Sequence, residues 1–511
     1  MEHNFTENTF FSSSLSAREI TQIIVNKYRD SPAIDSVRTA DKYYNNQNEA
    51  IDRKTRVYYD KDRNPVNNPF AYNARQKSNF LRMLVQQKQD YGFSKTFILK
   101  LSDENGNEIE LNKNDYGKEW KSFLTKSLYK IVYALAGQAI NHGIAWCFVR
   151  IDENGELELK SVPTDLVYPV WKDREHSELD RLVYNYRTET YKSLNPTIYE
   201  YAEYWSATER RLFNITNSYA EESVFINENN EPVYSHLFTS ESGVSWGKIP
   251  FVPLKSNTDE RTLLSFIKEK IDSYDFLDSK SVDGLIDDLD PILVLKGISP
   301  AVSDLLEARE LARMTRTISV DSDGDASYIQ AQTPIDAHLK KMESLRRDII
   351  KFGYGIDFED SRFGGNPNQL VIKSLYQNLD TYTDGLERHF QDFINNIKYF
   401  FDKWYEFSNK GSFGECQKYQ ILVKLDRSML INQESEINAT VQLANTGVSK
   451  KTLLEFNPVV QDVEMELERL KEEEKEKEVE NSFFNFPQSE LIEPTENVKE
   501  EKETENEEKQ K

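Results

Sequence analysis

The chain has 511 residues, enough for two to four domains, and a formal net charge of −23. That charge argues against a protein that wraps DNA tightly, because such a protein needs clustered Lys and Arg to hold phosphates. Only two cysteines are present, which excludes a disulfide framework or a cysteine zinc site and fits a reducing cytoplasm. No run approaches the roughly 20 apolar residues of a membrane span, and no signal peptide is recognisable.

A long helix is predicted over residues 260–289. Asn257 and Thr258 are good N-cap residues, and the acidic residues that follow suit the first turn of a helix. Pro291 ends the helix, because the residue before a proline is pushed out of the α region. The apolar stripe repeats mostly every three or four residues, at Leu263, Ile267, Ile271, Tyr274, Leu277, Leu285 and Leu289.

A short β region is predicted between this helix and the next. Residues 292–297 have the pattern of a buried strand that ends at a glycine, and residues 303–313 have the pattern of a helix. Residues 317–320 and 326–330 are predicted to pair as a hairpin around an acidic turn at residues 321–325.

A second helix is predicted over residues 333–352. Thr333 caps it, and Pro334 is tolerated at the first helical position, where its missing N–H would have no partner. Gly353 stops it, as a C-terminal glycine does. The apolar stripe has steps of three and four residues, at Ile335, Leu339, Met342, Leu345, Ile349 and Phe352.

Residues 353–367 contain four glycines and a proline, which predicts a mobile loop. After it, residues 368–407 predict a helix about 60 Å long, at ~1.5 Å per residue. Gly385 is the weakest point of this helix and the place where a bend is expected. The apolar stripe runs along its whole length, at Leu375, Leu379, Tyr382, Leu386, Phe390, Phe393, Ile397, Phe400, Trp404 and Phe407.

The end of the chain is strongly acidic. From Glu464 to Lys511 there are 18 acidic and 8 basic residues, so this segment carries −10 of the total −23. Residues from about Asn481 onward are expected to be disordered. An apolar island in this tail is either a fraying end or a short peptide that docks a partner, and it consists of Phe483, Phe484, Phe486, Leu491 and Ile492.

Familiar catalytic and metal motifs fail on their spacing. The segment Gly243–Lys248 has three residues between its glycines, and Ile249 stands where a phosphate loop needs Ser or Thr. The acidic run at Asp321 does not continue as a calcium loop, because Gln332 occupies the twelfth position in place of Glu. The six histidines form no His-x-x-His or His-Glu-x-x-His cluster. We therefore expect neither a cofactor nor an enzymatic activity.

Several short motifs follow one another along the chain, at residues 136–143, 149–156, 163–169, 272–275, 292–297, 354–357, 363–366, 447–454 and 458–462. In this order, and with the helices above, they resemble the portal proteins of tailed phages with long non-contractile tails, the SPP1-like portal family. The resemblance covers roughly residues 15–475. The size and acidity favour a phage of a Gram-positive host.

The resemblance implies an α+β portal fold and a ring of twelve copies at one capsid vertex. Portal proteins of this kind have wing, stem, clip and crown regions, with long helices that line a central channel. The implied boundaries are the wing at 1–255, a stem helix at 256–290, the clip at 291–332, a stem helix at 333–352, the tunnel loop at 353–367, the long helix and the rest of the wing at 368–430, the crown at 431–480 and an acidic disordered tail at 481–511.

The resemblance also implies a passive channel through which double-stranded DNA is packaged and ejected. The stem helices would form the channel wall, and the tunnel loops would surround its narrowest point. The long third helix could bend at Gly385 and transmit loop movements outward. The loop residues expected to lie close to DNA are Tyr354, Asp357, Glu359, Asp360, Ser361, Arg362, Phe363, Gly364, Gly365 and Asn366.

Three cations near the end of the second helix have two interpretations. Arg346, Arg347 and Lys351 either pair with the helix dipole and neighbouring subunits, or one or more of them face the channel and touch phosphate. Arg362 in the loop has the same two interpretations. The clip is expected to offer its docking surface at Asp321, Asp323, Asp325 and Tyr328.

The implied partners are copies of the chain itself, the terminase large subunit, head-completion or adaptor proteins, the scaffold and the major capsid protein, and no membrane. The terminase would supply the energy for packaging. The protein would lie in the virion after assembly in the host cytoplasm. Two other classes stay open, which are a ring-forming minor capsid or head–tail adaptor protein that does not enclose DNA, and a magnesium-dependent nuclease.

Overall fold

The computed structural model describes residues 14–59, 63–67, 72–109, 111–112, 114–191, 195–216, 219–223, 226, 232–237, 243–289, 292–296, 325–329, 335–360, 369–427, 440–457, 460 and 463–484. The chain divides into two compact units, Met1–Leu430 and Ile431–Lys511. None of the described helices is both long enough and apolar enough to cross a bilayer.

The first unit mixes helices and sheets, as the α+β prediction requires. A π-helical turn, Leu124–Leu128, joins its fifth and sixth helices. The helices are α1 (Ala17–Tyr28), α2 (Pro32–Tyr44), α3 (Glu49–Asp52), α4 (Phe80–Phe93), α5 (Asp115–Phe123), α6 (Tyr129–His142), α7 (Leu264–Leu289), α8 (Ile335–Phe352), α9 (Gln369–Phe407) and α10 (Phe413–Cys416).

The described strands form antiparallel sheets. The strands are β1 (Val57–Tyr59), β2 (Pro65–Asn67), β3 (Ile98–Ser102), β4 (Glu108–Ile109), β5 (Ile144–Ile151), β6 (Leu157–Val162), β7 (Val167–Trp171), β8 (Leu179–Tyr191), β9 (Pro196–Trp205), β10 (Arg210–Thr216), β11 (Tyr219–Ser223), β12 (Phe251–Lys255), β13 (Ile292–Lys296), β14 (Asp325–Ile329) and β15 (Gln420–Lys424). The sheet orders are β11-β10-β9-β8-β7, β12-β5-β6, β15-β3-β4, β1-β2 and β13-β14.

The main core forms around α9, whose predicted apolar stripe is confirmed. Phe401 of α9 meets Trp120 of α5 with ring centroids 4.2 Å apart, and Phe390 meets Phe93 of α4 at 5.3 Å. A single helix face therefore collects side chains from several elements into one packed cluster. The members of the stripe that are buried are Leu379, Leu386, Phe390, Phe393, Ile397, Phe400 and Trp404.

The inner face of α7 changes from apolar to polar along its length. It begins with apolar side chains, but between Asp275 and residue 286 the buried positions are Asp275, Ser279 and Asp283, four residues apart. The predicted stripe is therefore wrong at Leu285, whereas Tyr274 and Leu277 are partly buried. Leu285 is 45% exposed, although the prediction placed it in the apolar face.

These three polar side chains bind the backbone of an extended segment, residues 74–78. The N–H groups of Ser78, Gln76 and Ala74 donate to Asp275 Oδ1, Ser279 Oγ and Asp283 Oδ1, at 2.9, 2.9 and 2.7 Å. Four helical residues rise about 6 Å and two extended residues about 6.7 Å, so the two repeats match over three bonds. Alternate backbone N–H groups of the segment thus donate to side chains of a helix, where in a sheet they would donate to the carbonyls of a neighbouring strand.

A buried ion pair closes one end of this ladder of hydrogen bonds. Lys54 Nζ lies 2.7 Å from Asp283 Oδ2, and both side chains are 4% exposed. The ammonium also donates to Asn73 Oδ1 and to the Ala74 carbonyl, at 3.0 and 2.9 Å. At the other end, burial raises the pKa of Asp275, against hydrogen bonds from Ser78 and Asn48 that lower it.

The start of α7 differs from its prediction. The helix begins at Leu264 rather than at residue 260, because Glu260 adopts a left-handed conformation with φ of +54°. Its buried carboxylate lies 3.0 Å from His176 Nδ1 and 2.9 Å from Lys255 Nζ. Burial acts to raise the pKa of Glu260, but the bond from His176 and the charge of Lys255 hold it below its usual value. Glu260, one of the two acidic residues that predicted a first helical turn, instead forms an ionic joint with His176 and Lys255 before the helix.

The β region between α7 and α8 also differs in part. Strand β13 is confirmed, but its partner in the structure is β14, with Lys296 opposite Asp325. Asp325 therefore begins a strand and does not belong to an acidic turn, which corrects that prediction. Residues 303–313 and 317–320, for which a helix and a strand were predicted, lie outside the described residues.

In the second unit the described residues include a short helical stretch at 440–444 and the helices α11 (Lys450–Phe456) and α12 (Val463–Phe484). Ser449 caps α11 by accepting a hydrogen bond from the Thr452 N–H at 3.2 Å. Helix α12 continues to Phe484, past the residue 481 at which the disordered tail was predicted to begin. Residues 485–511 lie outside the described part of the chain.

The buried pair of Lys54 and Asp283 gives a stability prediction. Replacing Lys54→Met leaves the Asp283 carboxylate buried without its counter-ion, and the free energy of unfolding should fall by about 3–5 kcal/mol. Urea denaturation followed by circular dichroism measures this fall. The control is Lys95→Met, because the pair of Lys95 with Asp426 is about half exposed and should contribute only about 0–1 kcal/mol. If both variants lowered the free energy of unfolding equally, the importance assigned to the buried ion pair at the end of the ladder would be contradicted.

Candidate functional site

Helices α7 and α8 pack along each other and form the frame of the candidate site. Leu345 and Ile349 are the buried residues of α8 that belong to its predicted stripe. Polar bonds flank them, with Ser281 Oγ 3.0 Å from His338 Nδ1 and Lys270 Nζ 3.3 Å from Asp348 Oδ2. Both apolar and polar contacts therefore hold together the two helices that carry, or lead into, the predicted residues of the channel wall and loop.

The three cations of α8 have different surroundings. Arg346 is partly buried and forms ion pairs with Asp357 Oδ1 at 2.6 Å and Glu359 Oε2 at 2.8 Å. Arg347 and Lys351 are exposed and make no ion pair within the described part of the chain. The charge of Arg346 is thus matched inside the subunit, whereas Arg347 and Lys351 are exposed and have no such partner among the described residues.

The first residues of the predicted loop pack against α4. A Cβ added at Gly353 would come 2.6 Å from Leu84 Cδ1, and one at Gly355 would come 2.3 Å from Leu84 Cδ2. Between them, Tyr354 has φ of +52°, and its ring lies 5.8 Å from that of Tyr382 in α9. The first two glycines of the loop therefore allow a close approach to α4, a function that the sequence pattern did not reveal.

Part of the predicted site lies on residues for which no placement is described. This holds for Ser361, Arg362, Phe363, Gly364, Gly365 and Asn366 of the loop, and for Asp321 and Asp323 of the clip. Asp325 is exposed at the start of β14. Tyr328 lies on the same strand, opposite Leu293.

Helix α9 runs without interruption through Gly385. A Cβ at this position would meet no atom within 4 Å, so no close neighbour requires a glycine here. Because glycine is less favourable than alanine inside a helix by about 1 kcal/mol, its presence lowers the local stability of α9.

Two features of the described residues bear on an enzymatic activity, namely groups that could bind a metal ion and side chains that could act as a nucleophile. The described residues contain no group of three or more His, Cys, Asp or Glu side chains that could hold a metal ion. An Asp41–His142–Thr164 chain has the order of a nucleophile triad, with distances of 2.6 and 3.1 Å. Thr164 is only 4% exposed and lies 3.2 Å from the Ile144 carbonyl, so a substrate cannot reach its hydroxyl. The three hydrogen-bonded side chains therefore have a structural role.

A large cavity of about 870 Å³ lies between the β5–β6 sheet and the end of α9. Its walls combine aromatic side chains, such as Trp205 and Phe251, with charged ones, such as Lys160 and Glu203. Burial lowers the pKa of His236 to about 4, so this histidine is neutral at pH 7. It contacts the Ser206 carbonyl at 3.0 Å and the Trp246 N–H at 3.3 Å, which are structural bonds rather than an acid–base pair poised for chemistry.

Two sets of residues were missed by the sequence reasoning. One is the ladder of Asp275, Ser279 and Asp283. Its sequence signal is a polar residue at every fourth position within a helix. The other is the joint of Glu260 with His176 and Lys255, which has no local sequence signal because its members are far apart in the chain. The first could have been found by asking which face the polar residues of α7 share.

The model of a family described as phage portal protein, SPP1 Gp6-like, matches residues 27–480. The portal protein of Bacillus phage SPP1 is 24% identical to this chain over 455 residues, which cover 88% of this chain and 85% of that protein. The portal protein of Clostridium phage phiCD119 is 25% identical over 472 residues, with 88% of this chain and 95% of that protein covered. The resemblance stated from the sequence is confirmed, and the chain belongs to the SPP1 Gp6-like family of phage portal proteins.

Proposed function

We propose that this chain assembles into a ring of twelve copies at one vertex of a phage capsid and encloses the channel for double-stranded DNA. The family match over residues 27–480 is the observation that supports this most strongly. The same proposal assigns α7 and α8 to the stem, residues 291–332 to the clip, residues 353–367 to the tunnel loop and residues 431–480 to the crown.

The proposed partners are those that a passive DNA channel needs. Packaging needs an energy source, so the clip is proposed to dock the terminase large subunit and later the head-completion proteins. Scaffold and major capsid protein would surround the ring at the vertex during assembly in the host cytoplasm. The protein itself acts as a passive structural part and not as an enzyme.

We assign DNA contact in the stem to Arg347 and Lys351. They lie four residues apart, hence on one face of α8, and both are exposed. Arg346 is assigned a different task, because its ion pairs with Asp357 and Glu359 hold the first part of the loop. A few cations on a chain of net charge −23 suit DNA that must slide, since phosphate contacts in larger numbers would retain it.

Electron microscopy of the purified protein tests the proposal as a whole. We expect rings whose central hole is wide enough for duplex DNA. Rings whose hole does not admit a duplex would favour the adaptor class instead. Monomers that cleave DNA when magnesium is added would overturn the proposal in favour of a nuclease.

The two exposed cations can be tested together. In the double variant Arg347→Gln and Lys351→Gln, rings should form normally but should bind duplex DNA more weakly. The salt dependence of that binding should also decrease, because fewer counterions are released. Lys341→Gln is the control, since this residue is exposed on α8 but lies roughly 80–120° around the helix from the face of Arg347 and Lys351. If the control lowers the salt dependence as much as the double variant, the assignment to Arg347 and Lys351 is wrong.

Replacing Gly385→Ala tests whether α9 must bend. The new methyl group enters open space, so the variant should be more stable by about 0.5–1 kcal/mol. If transport of DNA requires a bend at Gly385, the stiffer helix should package less DNA per head in an in vitro packaging assay. Thr381→Ala, an exposed change to alanine one turn earlier, is the control and should leave packaging unchanged. Normal packaging by Gly385→Ala would exclude the bend.

A further inference from the structure

A side chain of helix α4 binds the backbone at the beginning of the loop, in the way that a neighbouring strand would. The Ile356 N–H donates to Gln87 Oε1 at 3.1 Å, and Gln87 Nε2 donates to the Ile356 carbonyl at 3.0 Å. One amide thus satisfies both backbone polar groups of one residue. The Ile356 side chain is 3% exposed, so this residue is fixed by its backbone and by packing.

The next residue of α4 binds the end of α8. Lys88 is fully buried, and its ammonium donates to the Gly353 carbonyl and, at 3.2 Å, to the Leu84 carbonyl. It also lies 5.3 Å from the ring centroid of Tyr382. Burial lowers the pKa of Lys88 to about 7, and no carboxylate pairs with it in the described residues. The ammonium is therefore satisfied by two carbonyls and an aromatic face, at the point where α8 ends.

The far side of the loop reaches the same helix. Tyr91 of α4 donates its hydroxyl to Asp380 of α9, and its ring lies 5.6 Å from that of Tyr376. The start of the loop and the chain after it share one small apolar cluster with α4, formed by Tyr91, Ile356, Ile372, Tyr376 and Leu379. Because Leu81, Leu84 and Val85 of α4 belong to the main core, this cluster is connected to the body of the first unit.

We infer that Gln87 and Lys88 are positioning residues, which fix the start of the tunnel loop to α4 beside the first turns of α9. The inference rests on the proposed role of residues 353–367 as a loop near DNA. In this arrangement the loop takes its position from the core of the unit and not from α8 alone. A shift of α8 along the channel wall cannot carry Gly353 and Ile356 with it unless it breaks the bonds to α4.

Amide hydrogen exchange of the assembled protein, followed by mass spectrometry, tests this directly. In Gln87→Leu the Ile356 N–H loses its acceptor, and exchange of residues 353–357 should accelerate about five- to tenfold. Exchange in β5 and β12 should remain as in the unchanged protein. The control is Gln86→Leu, the same substitution one position earlier on α4, at a half-buried residue without a hydrogen bond to the loop in the described structure.

A second variant keeps the test decisive if Gln87→Leu does not fold. Lys88→Met is similar in length and removes a buried charge, so it should fold with stability equal to or above that of the unchanged protein. It nevertheless leaves the Gly353 carbonyl without its donor. The amides of Gly353 and Gly355, which bond to Ile349 and Ile350 of α8 at 2.9 and 2.8 Å, should then exchange several-fold faster.

The outcomes separate this inference from the proposed function. Unchanged exchange at residues 353–357 in both variants overturns the positioning role, whatever happens to DNA packaging. Faster exchange confined to these residues supports it. If such a variant also packages DNA normally, the positioning role stands, but the importance of the loop for packaging does not.

Discussion

The burial of one long helix determines most of the first unit. A helix of 39 residues with a continuous apolar face must be covered along its whole length, because uncovered aromatic and aliphatic surface would favour aggregation. In α9 this covering comes from α4, α5 and the β12 and β15 strands. The elements nearest the proposed channel are therefore attached to a large core, and their positions depend on it.

The long periodic elements could be predicted from the sequence, whereas their ends and partners could not. Helices α8 and α9 lie within one or two residues of the prediction, because their apolar repeats are unbroken. Helix α7 was predicted, although it begins four residues later than expected. The polar side chains buried in its second half were not predicted. There the partner is a peptide backbone, which prefers Asp and Ser to Leu, and a hydrophobic pattern cannot anticipate such a partner.

The candidate site shows the same limits. The cations of α8 were recognised from the sequence, but which of them is exposed depends on Asp357 and Glu359 across a turn of the chain. The glycines at 353 and 355 suggested mobility, while the structure gives them close packing on Leu84. Glycine serves both purposes, and only the three-dimensional neighbours distinguish them. The anchoring residues Gln87 and Lys88 are more than 260 positions away in sequence, where no local pattern connects them to the loop.

The ladder between α7 and residues 74–78 has a consequence for how this protein can change during evolution. Its three bonds on the side of the extended segment come from backbone N–H groups, which every residue except proline supplies. The exposed side chain of Gln76 can therefore vary without loss of these bonds, whereas Ala74 is buried and the Ser78 hydroxyl also donates to Asp275. On the helix, by contrast, each acceptor is a particular side chain. The three backbone bonds thus constrain the sequence of the helix more than that of the extended segment, even though both make the same three hydrogen bonds.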